Sequence, residues 1–180
     1  AALLPCGASA QDSPPGAAAA DGIRVLRARL GFAALRGEGK SPTPLWGYDG
    51  FVPGPLLRVR RGEALSVRLV NELAEPTAIH WHGVRLPSAM DGAPPLTQRP
   101  VAPNASFDYR FAPPDAGTFW YHAPYAAPGQ VERGLYGALI VDEVEVIDVD
   151  RDVLLAFDTW RLDPGGMPDA RRLPPTDSVG

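Results

Sequence analysis

Glycine and proline interrupt this chain so often that long helices have nowhere to form. The 180 residues carry 19 Gly and 21 Pro. In a helix interior Gly costs about 1 kcal/mol and Pro about 3 kcal/mol against Ala. No segment offers a helical apolar repeat of useful length. Short apolar runs instead alternate with turn signals at spacings of about 8–12 residues, the pattern of an antiparallel sandwich or barrel. Leu65, Val67 and Leu69 face one way while Ser66 and Arg68 face the other, the period of a half-buried strand. Phe107, Tyr109 and Phe111 alternate with Asp108 and Arg110 in the same manner. Further strands are expected over residues 23–30, 56–60, 78–83, 118–122 and 135–141. Residues 46–55 read as a turn-rich approach and 86–103 as a long surface loop.

The two ends differ from this middle. Residues 1–22 are rich in Ala, Pro, Gly and Ser. They bury too little apolar surface to order themselves, so a disordered tail is expected. Within it, Ala8-Ser9-Ala10 has the small-x-small form of a signal-peptidase site, with cleavage before Gln11. That reading makes the protein exported, to the periplasm or outside the cell; a plain linker is the alternative. Residues 143–152 read as an acidic, solvated connector. Val153-Leu154-Leu155-Ala156-Phe157 then begins a fresh strand-like run, although a strand without partners forms no sheet. The expected organisation is one complete domain over 23–142, the connector over 143–152, and a truncated start of a second domain over 153–180.

Composition removes several function classes. The net charge is −4 with no basic block, so nucleic acid is not an expected partner. No stretch of about 20 apolar residues exists to span a membrane as a helix. A single Cys excludes an intrachain disulfide.

The three histidines carry the chemistry. His80 and His82 flank Trp81. In a strand, alternate side chains share a face, so the two imidazoles point together, about 7 Å apart along the strand, and Trp81 points into the core. Such a pair can serve two neighbouring metals or bracket one; a pair of satisfied polar residues is the plainer reading. His122 ends a second aromatic run, Phe119-Trp120-Tyr121-His122. If the two strands are neighbours, every His of the chain converges. Imidazole suits Cu, Zn, Fe and Ni, and no thiolate lies nearby to choose among them. Trp81, Trp120 and Tyr121 are expected in the core under either reading.

His80-Trp81-His82-Gly83, then Asp91-Gly92, then Thr97-Gln98-Arg99-Pro100-Val101-Ala102-Pro103 closely resemble the first cupredoxin domain of multicopper oxidases, the laccase-like group. Pro53-Gly54-Pro55 and residues 57–63 look like that family's opening strands, and residues 116–122 and 134–141 like its closing ones. Residues 152–162 resemble the start of its second domain. The resemblance implies an all-β, cupredoxin-like Greek-key β-sandwich with an incomplete start of a second such domain. It implies oxidation of a phenol-like donor or metal ion at a type 1 copper, with O2 reduced to water at a trinuclear cluster shared with a further cupredoxin domain, in cis or in trans. By position, His80 would ligate the type 2 copper, and His82 and His122 type 3 copper. Asp91 matches an acid that assists proton delivery, a role that suits a reaction consuming protons in a partly closed site; a turn built on Asp91-Gly92 is the simpler reading.

Two features break the pattern. The family's second pair is His-x-His, but here it reads His122-Ala123-Pro124. Proline offers no side-chain donor, and the three His are then exhausted. A blue-copper site needs a Cys thiolate with two His, and Cys6 lies in the tail. The chain is therefore expected to be inactive as an oxidase by itself. The alternative is a non-catalytic or degenerate copper-binding cupredoxin module.

Overall fold

Alternation of apolar and polar residues is realised, among the described residues, as eight strands and one short 3-10 turn. The computed structural model describes residues 22–124, 129–145 and 148–169. Cys6, Ala8-Ser9-Ala10 and the rest of residues 1–21 lie outside the described residues, as do 170–180. The strands are β1 (Arg24–Ala33), β2 (Thr43–Tyr48), β3 (Gly54–Arg60), β4 (Leu65–Asn71), β5 (His80–His82), β6 (Ser106–Phe111), β7 (Gly117–His122) and β8 (Tyr136–Asp142). They form two four-stranded sheets, ordered β2-β1-β4-β6 and β3-β8-β7-β5. Each sheet is mixed: β1 runs parallel to β4, and β3 parallel to β8.

The strand faces follow the sequence pattern. In β4 the residues Leu65, Val67 and Leu69 are buried, while Arg68 points outward and pairs with Asp108 of β6, its directly opposite neighbour. Between the sheets, Trp81 of β5 meets Phe111 and Tyr109 of β6 edge to face, at ring-centroid distances of 4.9 and 5.5 Å. Tyr121 of β7 lies 5.9 Å from the same indole. These aromatic contacts lock the histidine-bearing sheet onto its partner. Tyr121 also donates a hydrogen bond from its hydroxyl to the Pro55 carbonyl, at 2.7 Å.

The structure departs from the sequence reading at the start of the sandwich. Residues 43–48 form a strand, so the turn-rich approach begins only beyond Tyr48. Val153–Phe157 makes no ladder; its side chains are exposed, Phe157 at 91%. Burial of an apolar strand needs a neighbour to pair with, and none of the described residues supplies one. The acidic connector is exposed at each of its described residues, and Arg58 of β3 grips Asp142 just before it and Asp152 at its end, each at 2.7 Å. Beyond it, Asp158 accepts a hydrogen bond from the Tyr136 hydroxyl at 2.7 Å. No described helix is long and apolar enough to cross a membrane.

Candidate metal centre

The histidines sit where the fold makes an edge. β5 is the last strand of its sheet, three residues long, and among the described residues pairs only with β7. In that pairing His80 faces His122 and His82 faces Trp120. Opposite residues of an antiparallel pair project on one side, so all three imidazoles share the outer face while Trp81 and Tyr121 fill the core. The ring centroids lie 5.3 Å apart for His80 and His122, 5.4 Å for His82 and His122, and 5.8 Å for His80 and His82. One nitrogen from each ring falls within 4.8 Å of the others.

Hydrogen bonds fix which nitrogens are free. His80 Nδ1 lies 2.9 Å from the Asp91 carbonyl, and His122 Nδ1 lies 2.7 Å from the Ala123 carbonyl. A carbonyl only accepts, so both Nδ1 atoms carry the proton and both Nε2 atoms keep a lone pair. His82 reaches the group through Nδ1, 3.2 Å from His122 Nε2. Burial, together with its two imidazole neighbours, holds the His122 pKa down at about 4. That ring is neutral at pH 7, the form a metal requires. A metal-ligating His whose other nitrogen donates to a carbonyl is the usual arrangement, so these residues fit copper.

The loop that carries Asp91 is pressed against β5. Gly92 sits at φ +70°, and a Cβ there would lie 1.6 Å from the Ile79 carbonyl oxygen. Only glycine allows this approach, and the approach delivers the Asp91 carbonyl to His80. The Asp91 carboxylate is 3.3 Å from the same Nδ1. On the other side of β5, the Ile79 amide donates to the Tyr109 hydroxyl at 2.8 Å, which anchors the strand just before its first histidine.

Trp120 corrects the sequence reading. It is 38% exposed rather than in the core. Its position in β7 has the same parity as His122, so it shares the outer face. Its ring stacks on His122 at 3.9 Å and lies 5.0 Å from that of His82. The alternation rule identifies this neighbour; residue type alone misleads. Pro124, which stands in place of the expected fourth histidine, is buried beside Ala123.

With strands, sandwich and histidine triad in hand, the chain can be placed. The family model described as multicopper oxidase matches residues 33–145, and the chain belongs to that family. It is 40% identical over 114 residues to a copper resistance protein A homolog of Pseudomonas syringae pv. tomato, covering 62% of this chain and 19% of that protein. It is 38% identical over 113 residues to Laccase-2 of Botryotinia fuckeliana, covering 61% of this chain and 19% of that one. Among solved structures, the multicopper oxidase from Pseudomonas thermotolerans superposes with a TM-score of 0.76 at 44% identity, covering 81% of this chain and 35% of that one. The sandwich is thus cupredoxin-like, as the resemblance implied, and the chain spans about a fifth of the length of these curated relatives.

Proposed function

We propose that this chain is the amino-terminal, copper-liganding part of a multicopper oxidase. The observation that carries the reading is the convergence of three imidazole nitrogens within 4.8 Å on an exposed sheet edge. His80 serves the type 2 position, and His82 and His122 serve type 3 positions. Bound copper in the complete enzyme supplies one-electron oxidation of a phenol-like donor or a metal ion and four-electron reduction of O2 to water. This chain's own residues hold and orient: the Asp91 and Ala123 carbonyls set the tautomers of His80 and His122. The Asp91 carboxylate, 32% exposed and 3.3 Å from His80 Nδ1, is the group that passes protons toward the centre. The remaining ligands and the type 1 site come from a further cupredoxin domain, in cis or in trans. Residues 153–180 are the start of a second such domain. The Ala8-Ser9-Ala10 motif supports export, to the periplasm or beyond the cell.

Oxygen uptake tests this directly. The 180-residue chain loaded with copper is expected to consume no O2 with a phenolic donor. The same chain supplied with a cupredoxin domain carrying a His-Cys-His stretch, from the downstream reading frame, is expected to consume it. Uptake by the chain alone, or a downstream frame with no such domain, defeats the proposal. The second reading, a non-catalytic copper-binding module, is favoured by Pro124 and predicts copper binding without uptake in either case.

A further inference from the structure

The centre offers three donors where the family pattern calls for four, and the consequence can be worked out from geometry. Metal–imidazole bonds run to about 2.0–2.1 Å, so two nitrogens on one ion are separated by at most about 4.2 Å. His82 Nδ1 and His122 Nε2 are already 3.2 Å apart, inside that limit. The widest separation in the trio exceeds it by no more than roughly 0.6 Å, a gap within reach of small side-chain rotations. Two ions would have to divide three donors two and one, and an ion held by one imidazole is readily lost to water. The residue that would supply a further donor is Pro124, whose ring has none. The chain contains no other His.

We infer that this chain, by itself, holds one copper ion chelated by His80, His82 and His122 together, and that Pro124 closes off a second metal position. The inference rests on the reading that the trio binds copper and adds the number of ions. His80 and His122 bind through Nε2 as they stand. His82 Nδ1, which must carry a proton to bridge to His122 in the free chain, gives it up while its Nε2 gains one through solvent, so the ring stays neutral.

The test loads the 180-residue chain with copper(II) sulfate, removes excess metal and measures copper per chain alongside electron paramagnetic resonance. One copper per chain is expected, with all of it visible in the resonance signal and hyperfine splitting from three nitrogens. His80→Asn is expected to weaken binding at least tenfold and reduce the coupled nitrogens from three to two. Pro124→His is expected to raise the stoichiometry to two. The inference is overturned by two coppers per unmodified chain, by copper mostly silent in the resonance, or by unchanged affinity in His80→Asn. A Pro124→His chain that stays at one copper removes the role given to Pro124, and the unmodified chain's spectrum decides the ion count even where that variant does not fold. A chain that retains no copper at micromolar concentration brings down the copper reading itself, and the inference with it.

Discussion

Trp120 lies nearly flat on His122, with ring centroids 3.9 Å apart and 26° between the planes. An indole in that position reports on whatever binds the imidazole. Copper is expected to quench the chain's tryptophan fluorescence, and Trp120→Phe is expected to remove the largest share of that quench while leaving stoichiometry unchanged. Equal quenching in the two chains would show that another of the four tryptophans is the reporter.

Gly92 is expected to be intolerant of any side chain. Its Cβ would overlap the Ile79 carbonyl, and its φ of +70° is strained for other residues. Gly92→Ala should cost about 3 kcal/mol of stability and weaken metal binding by about 10–100-fold through lost orientation of His80. Gly62 is the control: its φ is +81° but nothing lies within 4 Å, so Gly62→Ala should cost only about 1–2 kcal/mol. Urea denaturation and copper titration of the two variants separate backbone strain from displacement of the ligand.

Trp81 carries the junction between the sheets. It is fully buried and touches Tyr109, Phe111 and Tyr121. Trp81→Ala should destabilise the domain by about 3–5 kcal/mol, read as a lowered urea midpoint. A loss below about 1 kcal/mol would mean that the aromatic cluster collapses around the gap at little cost.

The Arg68–Asp108 pair gives stability a pH dependence of known sign. Hydrogen bonds from Arg68 hold the Asp108 carboxyl below its ordinary pKa. A carboxyl depressed in the folded state stabilises above its unfolded pKa of about 3.9, and that contribution disappears as the pH falls through the lower folded value. The pair is about one-third exposed, so solvent screening limits its worth to about 0.5–1 kcal/mol. Asp108→Asn should therefore lose that amount at pH 7 and converge on the parent chain as the pH falls through the folded value. A difference that persists in acid would point to packing rather than charge.

The attachment of the segment after the sandwich is testable by proteolysis. Arg58 bridges Asp142 and Asp152, and Tyr136 holds Asp158. Arg58→Ala combined with Tyr136→Phe should speed cleavage within residues 148–160 several-fold and leave the histidine centre's copper binding unchanged. Unaltered cleavage would mean that other contacts hold the segment.

Much of this was legible in the chain. β4 and β6 declare themselves because their outward faces carry Ser66, Arg68, Asp108 and Arg110 against apolar inward faces. His80 and His82 were readable as a same-face pair, because two-residue periodicity is local. β2 was hidden: Pro44 and Gly47 signal turns, and only pairing with β1 makes them a strand. The bulk of Trp120 suggests core, although its parity with His122 sets it on the outer face. Gly92 reads as half of a turn from the sequence; its partner, the Ile79 carbonyl, is distant in sequence, and no short-range pattern encodes that contact. Val153–Phe157 has a strand's composition without a strand's neighbours.

The topology also dictates when the centre comes into being. Among the described residues β5 pairs only with β7, β7 also pairs with β8, and β3 pairs only with β8. The sheet that presents the histidines is therefore organised by the last two strands of the sandwich to leave the ribosome. Until they arrive, His80 and His82 project from a three-residue segment with no partner, and β3 has no sheet to join. Contacts this far apart in sequence form slowly. On the copper-binding reading, metal acquisition is consequently a late event in the life of the chain, and a stall in synthesis between His122 and Asp142 yields a polypeptide that has all three ligands and no site.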